Sequence, residues 1–204
     1  MTNVVALKPK KRTSPNIEKR TVRKYLTQSE VTRLIKAAGK TQRYALRNQA
    51  LVTVMFNHGL RVAEASELEW QQIDFKSGAI HIHRKKNGKP SVQPIRSKEL
   101  RLLRRLKKEQ RSMSGDYIFQ SERGGSISPR GIQKLLERIG EEAKFGFKIH
   151  PHMLRHATGY YLANNNLDTR LIQDYLGHKN IQHTVRYTEL NKSKFNQIKQ
   201  LPEC

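Results

Sequence analysis

The sequence predicts a mainly α-helical domain that carries one small three-stranded antiparallel sheet, an α+β fold. Apolar residues recur at helical spacing in most segments, and glycine or proline marks where these segments end or begin, as at Gly39 and Pro129. Between residues 70 and 95 the apolar residues alternate instead, as they do in strands. Asn87-Gly88 lies in this stretch and is typical of the turn of a tight β-hairpin. Helices are therefore expected before and after a small sheet along the chain.

The first helix is predicted to begin after Thr27, because Thr27 and Glu30 have the spacing of a capping box. It is expected to end at Gly39. A second helix is predicted over residues 44–58, and a short third one over residues 61–68.

Residues 1–24 are rich in Lys and Arg and lack apolar periodicity, which predicts a basic, mobile N-terminal arm. Such an arm either lies along DNA or is a solvated tail. Residues 25–204 have the length of one domain, so no separate N-terminal domain is expected.

Three short strands are predicted from alternating apolar residues, namely Ile73 and Phe75, Ile80 and Ile82, and Val92 and Ile95. The Asn87-Gly88 turn joins the second strand to the third. Leucines at helical spacing then predict a helix over residues 98–111, and residues 117–119 are predicted to be extended.

Five further helices are predicted in the C-terminal half of the chain. Ser128 and Pro129 are suited to the N-cap and first position of one of them. Asp168 caps another, which Gly177 ends. The predicted ranges are residues 129–143, 151–163, 169–176, a short segment that leads to Tyr187, and 191–201.

The chain has a large excess of positive charge. It contains 40 Lys and Arg residues against 17 Asp and Glu residues, which gives a formal net charge of +23 in 204 residues. A field of this sign concentrates a polyanion, and nucleic acid is the partner that fits it best. Charge alone is equally consistent with a ribosomal or chromatin-like binder without enzymatic chemistry.

Cysteine content and hydropathy indicate in which cellular compartment the protein is expected. Cys204 is the only cysteine, which excludes an internal disulfide and a Cys-rich metal site. The reducing cytoplasm, close to the nucleoid, is the expected location. No apolar run approaches the length that spans a membrane.

Arg61 follows Gly59-Leu60 and is predicted to lie at a helix N-terminus, where backbone N–H groups already favour an anion. Its guanidinium can bind two phosphate oxygens at once. The alternative is a surface arginine that pairs with Glu64 one turn later.

A basic run surrounds the predicted hairpin turn and fits a DNA groove or backbone. Lys86 could also donate a proton to a leaving oxygen, although a lysine in such a loop is more often only electrostatic. The run consists of Arg84, Lys85, Lys86 and Lys89.

His152 and Arg155 are three residues apart on one predicted helix, so both project from the same face. An imidazole beside a guanidinium suits a phosphate whose charge rises during a reaction. His152 and His156 also have the spacing of a helical zinc pair. Met153 occupies the place of the glutamate that such sites use, so no metal is expected and His156 is interpreted as structural.

His178 follows the predicted helix end at Gly177, where a histidine is commonly a cap. Tyr187 lies nine residues later and is a possible nucleophile, if a basic neighbour or cationic site favours its phenolate. Any one of seven tyrosines is most often a core or surface residue, so only its neighbours favour catalysis.

Taken together, these residues resemble the tyrosine recombinases, also called the phage integrase family. That family combines an arginine in a Gly-Leu-Arg context with a nearby glutamate, a hairpin lysine, a His-x-x-Arg pair, a Leu-Gly-His and a later tyrosine. The matching positions are Arg61 with Glu64, Lys86, His152 with Arg155, His178 and Tyr187. Lys85 and Lys89 remain alternatives to Lys86. Residues 150–188 resemble the fimbrial inversion recombinases most.

The resemblance implies a tyrosine recombinase catalytic-domain fold over residues 25–204. It also implies a site-specific recombinase that cuts and rejoins DNA through a 3′-phosphotyrosyl intermediate and a Holliday junction. Neither ATP, a metal nor any other cofactor is expected. The implied roles are nucleophile for Tyr187, proton acceptor for His152, phosphate binding for Arg61, Arg155 and His178, proton donor for Lys86, and orientation of Arg61 for Glu64.

The implied partner is double-stranded DNA with specific recombination sites, bound by a homotetramer whose subunits are monomers in solution. Accessory DNA-bending proteins fit the same picture. The helix over residues 191–201 is a candidate for docking into a neighbouring subunit, and the alternative is that it packs on its own domain. Inversion, excision and integration all remain open outcomes. The alternatives are a type IB-like topoisomerase and a non-catalytic DNA-binding regulator.

Overall fold

The structure is a computed structural model that describes residues 24–84, 90–110 and 115–189. It is mainly helical with one small antiparallel sheet, so the predicted fold class is confirmed. Most of the predicted arm, the Asn87-Gly88 turn and the helix predicted over residues 191–201 lie outside the described residues. The elements are α1 (Gln28–Ala38), α2 (Ala45–Asn57), α3 (Val62–Ser66), β1 (Ile73–Asp74), β2 (Ala79–Ile82), β3 (Ser91–Pro94), α4 (Ser97–Glu109), α5 (Pro129–Glu142), α6 (Pro151–Asn164), α7 (Thr169–Leu176) and α8 (Gln182–Glu189).

Three of the helices, α1, α5 and α7, begin at capping residues that the sequence displays. The Thr27 hydroxyl accepts the Glu30 N–H at 3.3 Å, and the Glu30 carboxylate accepts the Thr27 N–H at 2.8 Å. Ser128 accepts the Gly131 N–H at 3.1 Å and so caps α5. Asp168 caps α7 in the same way. Each cap satisfies backbone N–H groups that have no partner within the helix.

The three strands lie in chain order in one antiparallel sheet, with Ile82 opposite Ser91 at the hairpin end. β1 is shorter than predicted, and Phe75 lies outside it. The Asp74 carboxylate accepts the backbone N–H of Ser77 at 3.1 Å, and this contact turns the chain directly after β1.

The apolar core surrounds α2, which packs against α1, α4 and α6. A second, smaller apolar cluster joins α6, α7 and α8 and contains Leu162, Ile172, Leu176 and Tyr187. The C-terminal ends of α2 and α7 meet beside the start of α3, between the two clusters. The side chains of Arg61 and Arg155 lie at this junction.

Within the described ranges, no helix combines the length and the apolar character that crossing a lipid bilayer requires.

Candidate active site

Arg61 lies at the N-terminus of α3, as the sequence predicted. Gly59 adopts a left-handed conformation with φ of +57°, which turns the chain between α2 and α3. The Arg61 N–H donates to the Glu64 carboxylate at 2.9 Å, and Arg61 Nη1 donates to its other oxygen at 2.7 Å. Arg61 Nη2 reaches the carbonyl oxygen of Gly177 at 3.4 Å. Arg61 therefore connects the start of α3 to the end of α7.

Glu64 is buried and binds two arginines at once. One carboxylate oxygen accepts from Arg61, and the other accepts from Arg84 Nη1 at 2.8 Å. Burial alone raises the pKa of Glu64, but Arg84 and the hydrogen bonds from Arg61 outweigh burial and bring the pKa below its usual value. Glu64 is therefore a permanent anion between two cations.

Arg84 corrects a prediction, because its side chain is 0% exposed and faces the protein interior. Its guanidinium donates to Glu64, to the His58 carbonyl at 3.2 Å and to the Tyr175 carbonyl. The sequence predicted that Arg84 contacts DNA with the neighbouring lysines, and this burial contradicts that role. Lys85, Lys86 and Lys89, which complete the predicted basic hairpin, lie outside the described residues.

Arg155 is buried between the ends of α2 and α7. Its Nη1 donates to the Gly59 carbonyl at 2.5 Å, and its Nη2 donates to the Leu176 carbonyl at 2.7 Å. Burial, together with the positive charges of Arg61 and Arg84, lowers the pKa of Arg155 to about 9. The guanidinium remains protonated at neutral pH in spite of this burial.

His178 follows the left-handed Gly177 that ends α7. Its backbone N–H donates to the Gln173 carbonyl at 3.0 Å, so the residue does cap the helix, as its position suggested. Its imidazole Nδ1 lies 2.8 Å from the hydroxyl oxygen of the buried Thr184 in α8. Burial, followed by Arg155 and Arg61, lowers the pKa of His178 to about 3, so the ring is neutral at physiological pH.

Arg61 and His178 line the same open pocket on the surface, together with two other cationic side chains, Arg170 and Lys179. A pocket with this charge suits a phosphate group. Its lining consists of Arg61, Arg170, Gln173, Gly177, His178, Lys179, Asn180, Ile181 and His183.

Tyr187 lies on α8 and is 1% exposed. Its ring packs against Gly159 and meets the Tyr160 ring edge-on at 5.0 Å between centroids. The ring is also stacked with His178, with centroids 6.3 Å apart. Burial raises the pKa of Tyr187, while Arg155 acts in the opposite direction.

His156 makes a contact that the sequence interpretation did not predict. Its Nδ1 lies 2.9 Å from the phenolic oxygen of Tyr187. Burial, Arg186 and His152 lower the pKa of His156 to about 4, which leaves a neutral ring beside the hydroxyl. His152 is exposed in the first turn of α6, and its ring centroid is 6.5 Å from that of His156. The signal in the sequence is the i, i+4 spacing of His152 and His156, which places both rings on one face of α6.

The described part of the chain contains no group of three or more His, Cys, Asp or Glu side chains placed to hold a metal ion. The arrangement instead offers two guanidinium groups, a neutral imidazole and a nearby phenol. These groups can bind a phosphate and attack it without a metal.

Comparison with known proteins places the chain in a family. A family model described as the phage integrase family matches residues 24–194. The chain is 42% identical over 179 residues to the type 1 fimbriae regulatory protein FimE of Escherichia coli K12, which covers 85% of this chain and 89% of FimE. It is 34% identical over 175 residues to the tyrosine recombinase XerC of Oceanobacillus iheyensis, which covers 82% of this chain and 57% of XerC.

Solved structures agree with this assignment. The crystal structure of XerA recombinase has a TM-score of 0.76 and 29% identity, with 88% of this chain and 66% of XerA covered. The XerH site-specific recombinase in a pre-cleavage complex with difH has the same fold, at a TM-score of 0.73 and 23% identity, and this chain spans 57% of it. The chain therefore belongs to the phage integrase family, and it is a site-specific tyrosine recombinase, a class of enzyme that cleaves and rejoins DNA.

Proposed function

We propose that Tyr187 is the nucleophile of this recombinase. Its phenolic oxygen attacks the scissile phosphorus and forms a 3′-phosphotyrosyl bond, while the bond from phosphorus to the 5′-oxygen breaks. The tyrosine proton passes to an imidazole, and the departing 5′-oxygen takes up a proton and leaves as a hydroxyl. The covalent bond retains the energy of the phosphodiester, so rejoining by the reverse reaction requires neither ATP nor a metal.

Arg61, Arg155 and His178 bind the non-bridging oxygens of that phosphate. The observation that carries this proposal is their convergence at the end of α7, where Arg155 holds the Leu176 carbonyl and Arg61 holds the Gly177 carbonyl. Fixed cations at this point stabilise the charge that develops on the phosphate in the transition state.

The imidazole of His178 acts as a neutral hydrogen-bond donor. Its depressed pKa supports a ring with one proton. When the Thr184 hydroxyl donates to Nδ1, that proton lies on Nε2, which is then available to a phosphate oxygen. We assign this direction to the hydrogen bond, in which the Thr184 hydroxyl is the donor and the His178 ring can bind the phosphate through Nε2.

Two histidines of α6 can accept the proton of Tyr187. His156 is already within hydrogen-bonding distance of the hydroxyl, and His152 lies one turn away. We assign the acceptance of this single proton, as Tyr187 attacks the phosphate, to His156, with His152 as the alternative acceptor. Tyr187 is 1% exposed, so α8 must shift on DNA binding for the phenol to reach the phosphate. Lys86 is the proposed proton donor to the 5′-oxygen.

The partner that this chemistry requires is duplex DNA with a specific site. A net charge of +23 supports tight, salt-sensitive binding to the phosphate backbone. We further propose that a homotetramer exchanges strands between two such sites. The reaction takes place in the cytoplasm, with the help of accessory DNA-bending proteins. The 42% identity to FimE supports DNA inversion as the outcome.

The first experiment is a covalent trapping assay in EDTA. A nicked duplex carrying a candidate site from the sequence that flanks the gene is incubated with protein, denatured and run on an SDS gel. The nick lets the cleaved strand fragment diffuse away and so prevents rejoining. Wild type is expected to give a band of protein joined to DNA, and Tyr187→Phe is expected to give none.

Tyr161→Phe is the matched control, because it removes the hydroxyl of a half-buried tyrosine of α6 whose ring packs near Phe56. It is expected to form the covalent band as wild type does. A band that persists in Tyr187→Phe would assign the nucleophile elsewhere. Relaxation of a supercoiled plasmid that lacks the site would instead favour a topoisomerase.

A further inference from the structure

Two buried guanidinium groups join the ends of α2 and α7 at consecutive residues. Arg84 donates to the carbonyls of His58 and Tyr175. Arg155 donates to the next carbonyl on each side, those of Gly59 and Leu176. Carbonyls at a helix C-terminus have no partner within the helix, so these arginines satisfy them and fix the two helix ends side by side.

Arg84 helps to fix where the Glu64 carboxylate points. Arg84 Nη1 at 2.8 Å and the Arg61 backbone N–H at 2.9 Å donate to the same carboxylate oxygen, and the other oxygen is directed at Arg61 Nη1 at 2.7 Å. If Arg61 turned toward a phosphate, Arg84 would still neutralise the buried carboxylate. The orientation of Arg61 therefore depends on a cation that does not itself face the pocket.

The stem of Arg84 packs against the residue that precedes His178. A Cβ atom added at Gly177 would lie 2.8 Å from Arg84 Cγ, so the two residues are in close contact. Gly177 has a φ of +64°, which places His178 after the end of α7. The side chain of Arg84 thus supports the backbone that carries His178.

Packing against Gly177 does not by itself require a charged side chain at position 84. Arg84 Nε is buried with no hydrogen-bond partner in the described structure, and the nearby Arg61 and Arg155 are also cations. An apolar side chain of similar length would avoid both costs. The features that such a side chain would lose are the contact with Glu64 and the two carbonyl contacts.

We propose that Arg84 is a positioning residue of the recombinase, which fixes Glu64 and the end of α7 and thereby sets the phosphate-binding geometry of Arg61 and His178. This inference rests on the proposed function. Arg84 touches neither substrate nor reacting atoms and acts through Glu64 and Gly177.

The test measures the rate of covalent-complex formation at saturating protein, and separately the affinity for the same DNA. Arg84→Met is expected to slow covalent-complex formation about 100-fold, as a small misplacement of catalytic groups does. Its DNA affinity should change little, because Arg84 is buried. Arg101→Met is the control, since it removes the same charge from an exposed position on α4.

A double-mutant cycle with Glu64→Gln distinguishes positioning through Glu64 from a general loss of structure. If Arg84 acts through Glu64, the rate of the double variant should lie close to that of the slower single variant. Multiplication of the two single effects would overturn the proposal. So would a folded Arg84→Met protein that reacts at the wild-type rate, or one whose defect disappears when the protein concentration is raised.

Arg84→Lys keeps the test decisive if Arg84→Met fails to fold in thermal unfolding measurements. Lysine retains a charge for Glu64 but lacks the fork that reaches both helix ends. Arg84→Lys is expected to fold and to react at a rate between those of wild type and Arg84→Met. If Arg84→Met does not fold, the rate of Arg84→Lys is expected to lie clearly below that of wild type. A folded Arg84→Lys protein that reacts at the wild-type rate would overturn the proposal. Failure of wild type to form the covalent complex would instead count against the proposed function.

Discussion

The Nδ1 atom of His156 lies 2.9 Å from the phenolic oxygen of Tyr187, which joins α6 to α8 at the proposed nucleophile. Since the pKa of His156 is lowered to about 4, the neutral ring can accept a proton from the phenol at physiological pH. The two residues are 31 positions apart in the sequence, so only the fold brings them together.

His156→Ala is expected to slow formation of the covalent complex by about 100-fold, because it removes a positioned proton acceptor. The measurement is the single-turnover rate on the nicked substrate across a range of pH. The wild-type rate should fall as the pH approaches 4 and His156 becomes protonated. His83→Ala changes an exposed histidine and serves as the control. Equal rates for His156→Ala and wild type would transfer the role to His152.

Thr184→Val is expected to slow covalent-complex formation by roughly tenfold, the cost of about one hydrogen bond. Valine has nearly the shape of threonine, so the buried position stays filled while the Nδ1 partner of His178 is lost. The proton of His178 could then move to Nδ1 and leave Nε2 unable to donate. Thr188→Val, on the same helix, is the control. The prediction fails if both variants react at the same rate.

The depressed pKa values of two histidines predict acid sensitivity of the fold. His156 and His178 have folded-state pKa values of about 4 and about 3, whereas the unfolded chain has ordinary values near 6.5. The unfolded state therefore binds more protons below pH ~6.5, and the free energy of unfolding falls as the pH drops from there toward 3. Above that range the two groups contribute no further change.

Urea unfolding at several pH values measures this dependence. Wild type should lose stability between pH ~6.5 and pH ~4, and His178→Asn should lose less over the same interval because one of the two groups is absent. The comparison uses the slope with pH, so any constant effect of the substitution cancels. An unchanged slope would mean that other groups cause the acid sensitivity.

Local signals in the sequence were sufficient to predict where several of the described helices begin or end. The capping pair Thr27 and Glu30, and the stop at Gly177, depend on neighbours within a few residues, and these predictions were confirmed. Arg61 was predicted at a helix N-terminus for the same reason. Short-range hydrogen bonds follow from residue type and spacing alone.

The contacts that the sequence did not predict are those in which a side chain finds its partners far along the chain. Arg84 lies in a basic run, which predicted an exposed DNA contact, but its carbonyl partners His58 and Tyr175 are 26 and 91 residues away. His156 has its partner on another helix and was interpreted as structural. Neither contact leaves a periodic signal in the sequence.

Gly159 provides the sharpest test of how Tyr187 is packed. A Cβ atom at this position would lie 2.5 Å from Tyr187 Cε2 and 2.6 Å from its Cζ. Alanine normally stabilises a helix interior relative to glycine by about 1 kcal/mol. Here the ring leaves no room, so Gly159→Ala is expected to lower the free energy of unfolding by about 1–3 kcal/mol through overpacking. Urea unfolding of the single variant gives the sign directly, and an increase in stability would show that the ring does not occupy this position.

Substitutions of Tyr187, combined with Gly159→Ala, identify which atoms of Tyr187 cause the overpacking. Tyr187→Phe keeps every ring atom that meets Gly159, so it should not relieve the effect of Gly159→Ala. Tyr187→Ala removes the ring and destabilises by itself through the cavity it leaves, but adding Gly159→Ala to it should then be neutral or stabilising. The coupling between the two positions should therefore be large with alanine at 187 and close to zero with phenylalanine. Equal coupling in both cycles would mean that the alanine Cβ clashes with atoms other than those of the Tyr187 ring.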